Sequence, residues 1–75
     1  MSEAELARRE LRLCRHWHET AVYRCSIAAR ALDAAKWKGD GALQAEHELN
    51  EARRAVEQAG RDLSSARRVC RMLGA

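Results

Sequence analysis

"KWKGDGA", residues 36–42, holds Gly39 and Gly41, two of the four glycines in a 75-residue chain that has no proline. Glycine adopts at little cost the left-handed backbone that ends a helix. The segments on either side are rich in Ala, Leu, Arg and Glu, which favour helix. Val, Ile, Thr and aromatic residues are sparse, leaving little material for strands. The stretch therefore reads as a reversal between two helices.

The residues leading away from the turn support that reading in both directions. Counting back from Ala35 by alternate threes and fours meets Leu32, Ala28, Cys25, Ala21, His18, Cys14, Leu11, Ala7 and Ala4. Counting forward from Ala42 meets Ala45, Leu49, Ala52, Val56, Ala59, Leu63, Ala66, Cys70 and Leu73. Only His18 is polar, so each half carries a heptad seam. The two series also register about the turn. Ala35 falls opposite Ala45, Ala28 opposite Ala52, Ala21 opposite Ala59 and Cys14 opposite Ala66. Leu32 falls opposite Leu49, Cys25 opposite Val56, His18 opposite Leu63 and Leu11 opposite Cys70. The expected fold is all-α: one domain, residues 1–75, forming an antiparallel two-helix hairpin with an alanine-rich heptad seam. Helix 1 should span about 3–38, the turn 39–41 and helix 2 about 42–73. Ser2 and Glu5 have capping-box spacing, Asp40 or Gly41 starts helix 2, and Gly74 follows its end.

Small seam residues bury little area, and a chain this short is near the limit of what one core supports. Helix 1 carries further apolar surface in Leu6, Leu13, Trp17 and Ile27, with Ala31 and Ala34 beside them. The matching stripe on helix 2 is narrower, mainly Ala55 and Val69. Helix 1 is thus expected to be the inner helix of a larger assembly. That assembly is a homodimer closing into a four-helix bundle, or a complex with another protein. A second feature is the outer face of helix 1, where Arg9, His16, Tyr23, Arg30 and Trp37 recur every seven residues. Exposed aromatics with arginines are common material for partner contacts.

The net charge of +3 is unevenly spread. Residues 1–16 and 60–75 together carry +4, while the middle of the chain carries −1. A hairpin brings Arg8, Arg12, Arg15, Arg67, Arg68 and Arg71 to the end away from the turn, where they are candidate phosphate contacts. The architecture is similar to that of the dimeric, RNA-binding hairpins of the Rop-type plasmid copy-number regulators, at the level of fold alone.

Catalytic machinery is not expected. No nucleophile has a base and an orienting partner at suitable spacing, and no glycine-rich loop follows a strand. Neither a cofactor nor a small-molecule substrate is expected. Cys14 and His18 share a face at metal-ligand spacing, and a Cys14–Cys70 disulfide is conceivable. In seam positions, cysteine and histidine are expected to act as filler instead. The absence of a CxxC pair and the odd cysteine number point to reduced thiols. No apolar run approaches a membrane span. A cytoplasmic protein that does not enter membranes is therefore expected, and the arginine-rich, lysine-poor composition suits a bacterial or phage source.

Trp37-Lys38-Gly39 between two long helices resembles the turn of the Trp-x-Gly family, the helical hairpins handled by type VII secretion. The resemblance covers the turn and the hairpin and implies a secreted dimer, with Trp37 and Gly39 as the matching positions. The only tyrosine is Tyr23, so the Tyr-x-x-x-Asp/Glu export motif after helix 2 is absent. The expected function is that of a small non-enzymatic protein-interaction module: an adaptor, a chaperone, or an inhibitor of a host protein complex. Nucleic-acid binding through the arginine-rich end is the alternative, and a secreted Trp-x-Gly-type hairpin the lesser one.

Overall fold

The computed structural model describes residues 1–75 as two long helices, α1 (Glu3–Lys38) and α2 (Ala42–Met72), packed side by side. At about 1.5 Å per residue, the 36 residues of α1 account for about 54 Å, which matches the 55 Å length of the molecule. Its other dimensions, 14 and 13 Å, are nearly equal, as two helices winding about each other give. The radius of gyration is 16.8 Å, against about 11 Å for a compact chain of this length.

The turn is closed by its glycines. Gly39 has φ 71° and donates its N–H to the carbonyls of Ala35 and Lys36, and Asp40 N–H also reaches Ala35 O. These are the bonds of a Schellman motif, which satisfies the carbonyls that the helix end leaves free. Gly41, φ 77°, is the residue before α2 and accepts the N–H of Ala45. It caps the helix without a side-chain bond. Asp40, the other expected starter, supplies no capping bond because the left-handed Gly41 separates it from the first helical turn. At the other end of α1, Ser2 Oγ accepts the N–H of Glu5 at 3.1 Å. The second half of the expected capping box differs: the Ser2 hydroxyl lies 3.3 Å from Glu5 Oε1, which therefore accepts from it rather than from the backbone.

Every seam residue from Ala4 to Cys70 is buried or half-buried. Leu73 departs from the series. It is the C-cap of α2 rather than a helical residue and is exposed, because the chain turns away there through Gly74, φ 67°, and a second Schellman-type closure in which Ala75 N–H reaches Cys70 O. The core is thin. Eight residues are buried, six of them Ala or Cys, and no side chain is completely enclosed. Cys14, Leu63 and Ala66 form a buried cluster, with Leu11 packed against them. Nearby, His18 covers Gly60, where an added Cβ would stand 3.9 Å from the imidazole. The helices are held close by small residues along the seam rather than by large interlocking ones.

Candidate functional site

The hairpin has two edges, and the seam repeat assigns residues to each. Residues one position before a seam residue share one face. Leu6, Leu13 and Ile27 precede Ala7, Cys14 and Ala28, and Trp17 precedes His18. In an antiparallel pair the same offset on α2 lies on the same side, which brings in Glu48, Glu51, Ala55, Asp62, Ser65 and Val69. Three shallow grooves run along this face between the helices. Leu6, Leu13 and Val69 line the one at the open end; Trp17, Asp62 and Ser65 line the middle one; Ile27, Glu48, Glu51 and Ala55 line the one toward the turn.

The four apolar residues expected at an interface are all brought to this face and left uncovered. Leu6 is 51% exposed, Leu13 44%, Trp17 60% and Ile27 47%. The hairpin exposes 5821 Å² in all. A compact protein of 8.5 kDa exposes about 4,650 Å². The carboxylates of Glu48, Glu51 and Asp62 beside the apolar stripe escaped the sequence reading, which followed apolar residues alone. Their signal was the same one-residue offset, from Leu49, Ala52 and Leu63.

Residues one position after a seam residue form the opposite face. Arg8, Arg12 and Arg15 follow Ala7, Leu11 and Cys14, and Arg67 and Arg71 follow Ala66 and Cys70. All five are exposed at the end away from the turn. Arg68 lies further round α2, away from this face. The molecule's single ion pair joins Arg54 to Glu51, so none of these arginines is in a salt bridge, though Glu5 shares a surface hollow with Arg8 and Arg12. Arg61, for which Glu57 is available one turn away, donates to Gln58 instead at 3.0 Å.

The outer face of α1 presents Arg9, His16, Tyr23, Arg30 and Trp37, all exposed, as the seven-residue spacing requires. Trp37 is 93% exposed beside the turn and caps nothing. His16 and Trp17 diverge along the helix, yet their rings meet edge to face with centroids 5.3 Å apart. Leu43, at the start of α2, adds a second exposed apolar side chain near the turn.

The seam thiols are occupied in packing. All three cysteines are free. Cys70 Sγ donates to Ala7 O at 3.3 Å, which ties the end of α2 to the start of α1. Cys14 Sγ donates to Glu10 Oε1 at 3.7 Å. Burial pushes the Cys14 thiol above its ordinary pKa, and the negative charges of Glu10 and Asp62 push it in the same direction. That disfavours the thiolate that a nucleophile or a metal ligand needs. No group of three or more His, Cys, Asp or Glu side chains is gathered where it could hold a metal ion. Neither helix is long and apolar enough to cross a membrane.

In comparisons with known proteins, no family model matches the chain, and no curated protein or solved structure is significantly similar to it. The likeness to the Trp-x-Gly turn is confined to Trp37 and Gly39.

Proposed function

We propose that this protein is a small, non-enzymatic interaction module that self-associates through the apolar face of α1 and contacts another protein through the outer face. One observation carries the reading. A hairpin whose seam is half alanine leaves Leu6, Leu13, Trp17 and Ile27 uncovered on one face, with about 1,200 Å² more exposed surface than a compact chain of its mass. Large exposed apolar side chains gathered on one helix face are the material of interfaces, and aromatic anchors such as Trp17 contribute most to them. With one face of α1 taken by self-association, Tyr23 and Trp37 remain free on the other. An adaptor, chaperone or inhibitor role fits such a minimal chain, and a cytoplasmic setting fits its free thiols.

The test separates the two faces. Trp17→Glu should turn a dimer into a monomer by light scattering, whereas Tyr23→Ser with Trp37→Ser should leave the dimer intact and abolish capture of its protein partner by cross-linking in cells. A monomeric wild-type chain would remove self-association from the reading.

A second reading rests on the five exposed arginines of the opposite face, none of them in a salt bridge: contact with the phosphates of a nucleic acid. Its signature is affinity for labelled RNA or DNA that falls steeply with salt and is lost in the Arg67→Gln, Arg71→Gln variant. Salt-insensitive or undetectable binding removes this reading.

A further inference from the structure

We infer that the second copy of the chain packs α1 antiparallel against α1 in one register, with Trp17 at the two-fold axis and Glu10 facing Arg24 across the interface. The inference rests on the self-association proposed above and specifies its geometry. The stripe one residue before the seam is itself a repeat of threes and fours, so it can meet its own copy in layers as the two seams meet within the hairpin. A two-fold axis at Trp17 sets Leu13 opposite Thr20 of the second copy and Leu6 opposite Ile27. The same axis sets Glu10 opposite Arg24 twice, once on each side. Every large apolar side chain on the α1 stripe then falls in a layer, and its one cation meets a carboxylate.

The second helix selects among registers. Because the hairpin pairing ties each level of α2 to a level of α1, the same axis sets Ala55 of α2 opposite Met72 of the second copy. Gln58 then falls opposite Val69, and Asp62 opposite Ser65, whose hydroxyl can donate to it. Glu48 and Glu51 extend past the end of the opposing helix and stay in water. Sliding by one heptad in one direction sets Glu48 and Glu51 against Met72 and Val69. Sliding the other way sets Glu10 against Trp17 and Asp62 against Met72. Both slides set carboxylates against apolar groups with no cation facing them across the interface; Glu51 keeps Arg54, Glu48 keeps Gln44 and Asp62 keeps Gln58 on its own helix, but burying the charge there is still costly. The area agrees with a standard interface. About 800 Å² removed from each chain takes most of the excess in the 5821 Å² that the hairpin exposes.

Two full-length variants test the register by sedimentation and by disulfide trapping, with helicity followed by circular dichroism. Glu10→Arg places like charges opposite Arg24 and should raise the dimer dissociation constant at least about tenfold. Combining it with Arg24→Glu should restore wild-type association. Leu13→Cys with Thr20→Cys should give a covalent dimer under mild oxidation, while neither single variant nor the wild type does. Residues 13 and 20 lie two turns apart on one helix and cannot pair within a chain. A wild-type dimer in which the charge reversal fails to rescue and the paired cysteines fail to link overturns the register and leaves self-association standing. A monomeric wild type overturns both.

Discussion

Gly60 sits in the middle of α2 with its missing side chain turned toward His18. Its backbone is not left-handed, so an alanine there meets no conformational penalty. A Cβ would stand in ordinary van der Waals contact with the imidazole, 3.9 Å away. Gly60→Ala should therefore stabilise the hairpin by about 1 kcal/mol, the helix-propensity difference, raising the melting temperature by about 4–8 °C; a decrease would mean that the helices approach more closely there than the packing allows. Cys14 supplies a second prediction at this scale. Its thiol pKa is raised by burial and by Glu10, so the folded state holds the proton more tightly than the unfolded state does. The associated stability is full below the ordinary thiol pKa and falls as pH rises through the raised one. Alkylation at mildly alkaline pH should accordingly be slower at Cys14 than in the urea-unfolded chain, and Glu10→Gln should speed it. Equal rates folded and unfolded would contradict the buried, carboxylate-facing site.

At the scale of the elements, the hairpin depends on two left-handed glycines separated only by Asp40. Gly39 closes α1 and Gly41 opens α2, and both have positive φ. Gly39→Ala should cost about 1–2 kcal/mol, since a side chain in this conformation crowds the neighbouring carbonyl. Thermal denaturation should show the loss; an unchanged midpoint would mean the turn can close another way. The helices were readable from sequence because a strict repeat of threes and fours needs no tertiary information, and Ala4 to Cys70 lie where that repeat sets them. The ends were harder to read. Leu73 continues the repeat but follows the last helical residue, because Gly74 diverts the backbone first. Asp40 has the side chain of a cap but the wrong neighbour, since Gly41 intervenes with a left-handed backbone. The candidate face was half readable: its apolar row follows from spacing on α1, whereas Glu48, Glu51 and Asp62 join it only once α2 is docked.

The whole molecule is a rod two helices thick, and its thinness is the physical reason for expecting association. A single layer of two helices has no interior to enclose a large side chain, and none is enclosed here. Alanine on the seam brings the axes together but removes little apolar area from water, while the larger residues of α1 stand beside the seam rather than in it. Glu48, Glu51 and Asp62 border the apolar face, and five arginines stand on the face behind it, together with carboxylates such as Glu5. Packing two copies through α1 draws in Arg24 and Glu10 but leaves Arg8, Arg12, Arg15, Arg67 and Arg71 outside, so the arrangement is compatible with both the protein-binding and the phosphate-binding readings. The most direct measurement is the mass of the wild-type protein by sedimentation equilibrium across a range of concentrations. A species of twice 8.5 kDa that Trp17→Glu converts to single chains is the predicted result; a helical, stable 8.5 kDa monomer at every concentration, unchanged by that substitution, would contradict the account.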